Sequence, residues 1–194
     1  MIRLNIGCGA SPRAGWINID LRNVAGVNMR CDITRGLPLA DRCVDYAVAI
    51  HFLQDLPWMQ LSPALAELYR VLRPGGVLRL ALPDLDRAIE AYRRQDRSYF
   101  YVPDAHARSL GGKLVTQLIW YGSVRTPFTY DYVEELLSDA GFDRVRRCAF
   151  RQTFSQHADI VGLDNRPRES LFVEAAKSPD PLSSRLRSSR GRAP

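Results

Sequence analysis

Leu4-Asn5-Ile6-Gly7-Cys8-Gly9, followed by Asn18-Ile19-Asp20, is the stretch that decides the fold. It reads as a short buried strand, a glycine turn and a second strand closed by a carboxylate. Gly7 and Gly9 can take positive φ and carry no Cβ, so backbone can pass close to a ligand. A carboxylate ending the next strand can accept hydrogen bonds from a ribose diol. That arrangement belongs to nucleoside-containing cofactors on open α/β sheets. A second acid, Asp32, closes Cys31-Asp32-Ile33 further along.

The dinucleotide fingerprint requires G-x-G-x-x-G and an acid about 20 residues on. Here Gly7-Cys8-Gly9-Ala10-Ser11-Pro12 lacks the third glycine, and Asp20 follows Gly7 by only 13 residues. No G-x-x-x-x-G-K cradle is present either. A cofactor without phosphates fits these spacings better than a dinucleotide or ATP.

Two further blocks follow. Leu37-Pro38-Leu39-Ala40-Asp41 leads into Val44-Asp45-Tyr46-Ala47-Val48-Ala49-Ile50-His51, and Leu68 to Leu72 leads into Arg73-Pro74-Gly75-Gly76-Val77-Leu78. With the glycine turn and its acid, these blocks resemble the class I S-adenosylmethionine-dependent methyltransferases of the small methyltransferase-domain type. Those chains read L-x-x-G-C-G, an acid, D-x-x-x-L-P-F, a strand, then R-V-L-x-P-G-G. Arg168 to Ala175 also resembles the last strand of a subgroup linked to glycan or secondary-metabolite pathways.

The resemblance implies an α/β, doubly wound, mostly parallel seven-stranded sheet and S-adenosylmethionine as cofactor. It places Gly7, Cys8, Gly9, Asp20, Leu21, Asp32, Ile33 and His51 around that cofactor, with Asp32 on the adenine amino group and Ile33 offering its amide to the ring. His51, at the mouth of the middle strand, is the candidate base. Family members carry a Glu-His pair a few residues later; this chain has Gln54-Asp55 there, so no family base transfers by position. The reaction implied is methyl transfer to a small-molecule acceptor, a sugar or glycan precursor or a natural-product intermediate. Tyr121, Arg166 and Arg168 are the candidate acceptor-binding residues: an aromatic face for a ring, and guanidiniums for an anionic group.

Composition bounds the alternatives. At 194 residues, one domain is expected, with 1–177 as the methyltransferase domain. Residues 178–194 are rich in Ser, Arg, Pro and Gly and are expected to be a disordered basic tail. The chain carries a net charge of +6, and the tail's four arginines against Asp180 account for half of it. That weakens a nucleic-acid reading, as does the absence of an Asp/Asn-Pro-Pro-Tyr/Phe block after the middle strand. An RNA or DNA methyltransferase and a non-catalytic cofactor-binding protein remain the rival readings. No apolar run reaches the roughly 18 residues of a membrane span. The chain enters its first strand at once, so no signal peptide is expected. The four cysteines, at 8, 31, 43 and 148, lack C-x-x-C spacing, which fits reduced thiols in a cytoplasmic protein and no metal site.

Expected strands lie at 2–6, 16–20, 44–50, 77–82, 144–150 and 171–176. Expected helices begin at a Ser62 cap with Pro63 in the first turn, and span 84–95, 106–121 and 131–140. Only nine residues part the first two strands. A parallel crossover needs about a dozen or more. The first crossover is therefore shortened and its helix truncated or missing.

Overall fold

The computed structural model describes residues 1–179. The predicted tail, beyond Pro179, lies outside the described residues. The strands are β1 (Arg3–Ile6), β2 (Ile17–Asp20), β3 (Met29–Arg30), β4 (Val44–Ile50), β5 (Leu72–Pro83), β6 (Asp143–Cys148) and β7 (Ser170–Ala176). They form a single seven-stranded sheet in the order β3-β2-β1-β4-β5-β7-β6. The first five run parallel, and β7 is antiparallel to both of its neighbours. The chain steps outward from β1 to β2 and β3, then crosses to β4 on the other side of β1. Such a reversal opens a crevice at the carboxyl ends of the strands.

One face of the sheet is covered by helices α1 (Trp58–Val71) and α4 (Tyr130–Asp139). Alternation along the strands sends Leu4, Ile6, Ala47, Ala49, Leu78, Leu80 and Val173 to this face, where they are buried with Leu61, Leu65, Leu68 and Leu137. The helix α1 begins at Trp58, four residues before the expected Ser62 cap, and Pro63 lies inside it. Leu61 extends the apolar stripe upstream. The missing Pro63 N–H leaves the Met59 carbonyl without its helical donor. Met59 is 74 % exposed, so water can take that bond. Arg73-Pro74-Gly75-Gly76 does end the helix, but inside β5: pairing jumps from Val44–Leu72 to Tyr46–Val77 across a bulge. α4 closes as predicted on Gly141 at φ +97, with the Phe142 N–H on the Leu137 carbonyl and the Gly141 N–H on Ser138.

The opposite face has a different cover. Among the described residues, no helix lies between β1 and β2, as the short spacing predicts. Asparagine side chains tie the turn down instead. The Asn18 carbonyl accepts from the Arg13 N–H at 2.7 Å and from Asn5 Nδ2 at 3.0 Å, and Asn18 Nδ2 donates to the Arg13 carbonyl at 3.0 Å. Trp16, Tyr46, Val48 and Ile160 form a second buried cluster on this side. The connection before β7 therefore packs as a cover, with a short 3-10 turn at Ala158–Val161. Its anchor is Arg79, which is fully buried. The guanidinium donates to Asp164 at 2.8 and 2.5 Å and to Glu174 at 2.9 Å. Glu174 is its cross-strand partner on β7.

Helices α2 (Leu85–Arg93) and α3 (Leu110–Ile119) pack on each other through Ala88, Ala91, Leu114 and Leu118, with Tyr99 and Phe100. The expected 106–121 helix is shorter. Ser109 caps it by accepting from the Gly112 N–H at 3.0 Å, and left-handed Trp120 (φ +40) and Tyr121 (φ +56) break it.

Candidate active site

At the carboxyl ends of β1, β2 and β4, a cavity of about 330 Å³ opens. That size falls within the usual range for small-molecule sites. It gathers Gly7, Asp20, Leu21, Asp32, Ile33 and His51, joined by Arg22, Phe52 and Asp55. Cys8 and Gly9, also expected at the cofactor, are not among its lining residues. Cys8 is buried, its N–H donating to the Ile19 carbonyl at 3.0 Å, and the Gly9 N–H donates to Asp20 Oδ2 at 2.8 Å.

Asp20 braces the glycine turn while facing the cavity. Its Oδ1 accepts from the Arg22 N–H at 2.9 Å and Arg22 Nε at 3.2 Å. Burial pushes this carboxyl up, but the bonds from Arg22 and Gly9 outweigh it and hold the group below its ordinary value. Asp32 caps the 3-10 turn Ile33–Arg35, with Oδ1 accepting from the Thr34 N–H at 3.0 Å and Thr34 Oγ1 at 2.7 Å. Those bonds hold its carboxyl low. Its Oδ2 lies 3.6 Å from Arg35 Nε. Gly7 takes φ +63, and a Cβ there would meet the Phe52 ring at 2.3 Å. Close approach to Gly7 from that side is therefore made by the protein itself.

His51 directly follows β4 in a left-handed conformation, φ +52. Its Nε2 lies 3.0 Å from Ser170 Oγ, which lies 3.4 Å from the Asn165 carbonyl. If Ser170 donates onward, Nε2 carries the proton and Nδ1 is left as a bare acceptor. Nδ1 is buried and has no partner among the described residues. Burial, aided by Arg166, pushes the imidazole down to about 4, so it is neutral at pH 7.

A second cavity, of about 170 Å³, lies between α2, α3 and the segment entering β7. Tyr99, Gln117, Trp120, Arg166 and Glu169 line it, and it shares His51 and Asp55 with the first. Of the predicted acceptor residues, only Arg166 reaches it. Tyr121 turns away and its hydroxyl lies 2.8 Å from His106 Nδ1; the left-handed break presents Trp120 instead. Arg168 points to another surface, lying over the Tyr99 and Tyr101 rings at 5.9 and 5.5 Å and donating to the Ser98 carbonyl. Sequence reasoning missed Phe52, Asp55 and Glu169, and it chose Tyr121 over its neighbour Trp120 in the aromatic-rich second half. Of the three, Asp55 carries a signal, as part of the pair standing where the family has Glu-His.

Comparison with known proteins agrees with the sheet. Residues 13–80 match the methyltransferase domain family. A malonyl-[acyl-carrier protein] O-methyltransferase of Pectobacterium atrosepticum is 31% identical over 116 residues, 48% of this chain and 44% of the relative. The chain thus spans under half the length of that curated relative. A solved methyltransferase of Thermotoga maritima, described as a possible histamine N-methyltransferase, superimposes with a TM-score of 0.57 at 18% identity, covering 91% of this chain and 82% of that one. One from Archaeoglobus fulgidus gives 0.56 at 14% identity, covering 90% and 85%. The S-adenosylmethionine-dependent enzyme of Mesorhizobium loti gives 0.54 at 17%, covering 91% and 90%. The methyltransferase-domain match is confined to residues 13–80, and the fold of the chain is that of solved S-adenosylmethionine-dependent methyltransferases.

Proposed function

We propose that this protein binds S-adenosylmethionine in the first cavity and transfers its methyl group to a small-molecule acceptor in the second. The observation that carries the reading is the shared wall: His51 and Asp55 line both cavities. Methyl transfer needs two reactants facing each other across such a junction. When bound, the sulfonium supplies a methyl carbon whose bond to sulfur breaks as the acceptor's lone pair forms the new bond.

The protein's work is positioning. The Asp20 carboxylate suits a ribose diol, and Asp32 Oδ2, which Arg35 Nε approaches only to 3.6 Å, suits an adenine amino group. Aligning donor and acceptor within about 3–3.5 Å removes roughly 7–11 kcal/mol of barrier. His51, neutral, walls the junction and offers Nδ1 as an acceptor. Sugar or natural-product intermediates suit the second cavity, with Trp120 and Tyr99 as ring-stacking faces. The described residues contain no helix long and apolar enough to cross a membrane.

Calorimetry tests the reading. S-adenosylmethionine and S-adenosylhomocysteine are expected to bind, and NAD and ATP to show no heat. Binding of NAD or ATP in place of the first pair would overturn it.

A further inference from the structure

The second cavity has a definite chemical bias, and three observations set it. The first is its charge. Asp55, Asp84, Glu169 and Arg166 line it, with His51 neutral. Asp84 is already neutralised from outside the cavity, by Arg147 at 2.6 Å and Arg87 at 3.3 Å. Glu169 faces Arg166, with Nε 3.8 Å from Oε1. Asp55 is the carboxylate left over, and it is in no ion pair within 4.0 Å shown for the described residues. Burial pushes its carboxyl up, and the Gln54 side chain, which donates to it, with Arg22, Arg166 and Arg125 at longer range, offsets that only in part.

The second observation is unsatisfied hydrogen-bonding capacity. Gln54 lines this cavity, is 5 % exposed, and its Oε1 has no partner; nor has His51 Nδ1. Gln54 Oε1 is an acceptor, and His51 Nδ1 is one in the tautomer that donates from Nε2 to Ser170; burying an acceptor unpaired is costly. The third is the pair of aromatic residues in the lining, Tyr99 and Trp120; Arg168 already lies over the Tyr99 ring at 5.9 Å, so the indole is the ring left to attract a cation. Every open position therefore asks for a donor, and none asks for an anion beyond Arg166, which Glu169 already faces.

We propose that the second cavity recognises a small acceptor presenting hydrogen-bond donors, an amine above all, through the Asp55 carboxylate with Gln54 and His51 beside it. This rests on the methyl-transfer reading of the adjoining cavity and narrows it to amine-bearing acceptors. A primary amine bound as its ammonium first gives a proton to Asp55 or to water, which frees the nitrogen lone pair. That lone pair then takes the methyl as its bond to sulfur breaks, leaving a secondary ammonium and the neutral thioether, with one proton released overall.

Three probes of matched shape separate the chemistries: benzylamine, benzyl alcohol and benzoate, titrated calorimetrically into the full chain at neutral pH with and without S-adenosylhomocysteine. Benzylamine is expected to bind at least about tenfold more tightly than either other probe, the gain of one charge-assisted hydrogen bond. Asp55→Asn is expected to erase that preference. Benzoate or benzyl alcohol binding as well as the amine overturns the proposal on wild-type protein alone, whether or not the variant folds. An unchanged amine preference in a folded Asp55→Asn protein also overturns it. Failure of the methyl-transfer reading shows separately, as absence of S-adenosylhomocysteine binding in the wild type. An amine preference in the cofactor-free titration would then leave the cavity's selectivity standing without the reaction.

Discussion

The ring of Phe52 lies where the Cβ of any residue but glycine would stand at position 7, with Cδ2 at 2.3 Å from that point. Two strand ends meet here, because Gly7 follows β1 and Phe52 follows the left-handed His51 at the end of β4. Gly7→Ala therefore suffers both a positive φ and a clash, and each costs about 1–3 kcal/mol. Urea denaturation is expected to show the loss. Phe52→Ala in the same chain should restore part of it, giving a non-additive double-mutant cycle.

Asp20 joins the glycine turn to the candidate ribose site. Asp20→Ala is expected to weaken S-adenosylhomocysteine binding by roughly 1.5–3 kcal/mol, the worth of a hydrogen bond to a charged group. An affinity equal to wild type by calorimetry would refute the ribose assignment.

Arg79 holds Asp164 and Glu174 in the interior. Arg79→Met leaves two carboxylates buried without a counter-charge, a change that typically costs about 3–5 kcal/mol. Because Asp164 sits in the segment that covers the sheet, limited proteolysis is expected to cut between residues 149 and 169 first in that variant. A proteolytic pattern like that of wild type would show that the cover is held by other contacts.

His51 makes stability depend on pH. Its folded-state value is lowered from 6.5 to about 4, so the unfolded chain takes up the proton first. The contribution is fully present above the unfolded value and is lost as pH falls from there towards the folded one. The full span is worth about 3 kcal/mol. Urea midpoints at pH 7.5 and at about pH 4.5 should differ less in His51→Gln than in wild type, because the variant lacks this proton uptake. Equal pH dependence in the two proteins would exclude His51 as the source.

Asn18 stands in for the missing first helix. Asn18→Ala removes the side-chain acceptor of the Arg13 N–H and one of the two acceptors of Asn5 Nδ2, which keeps the Ser11 carbonyl, at about 1 kcal/mol for each hydrogen bond lost. Faster amide exchange at Arg13 and Trp16, measured by NMR, is the expected sign.

What the chain determined by itself is local. Glycines before an acid, an apolar run from Val44 to Ile50, and Gly141 after a periodic stretch are consequences of backbone sterics and alternation, and each is visible residue by residue. The sheet follows from them, down to a first crossover too short for a helix. What only the tertiary structure decided is direction and company. The left-handed break at Trp120 turns that indole, and not Tyr121, toward the second cavity; Arg168 lies over tyrosines instead of reaching it. Asp55 acquires a place in two cavities because β4 and the segment entering β7 converge there. Arg79 is buried because a covering segment distant in sequence brings Asp164 over it. Periodicity assigns a residue to a face, but which side chain fills a space is settled by packing against elements far along the chain.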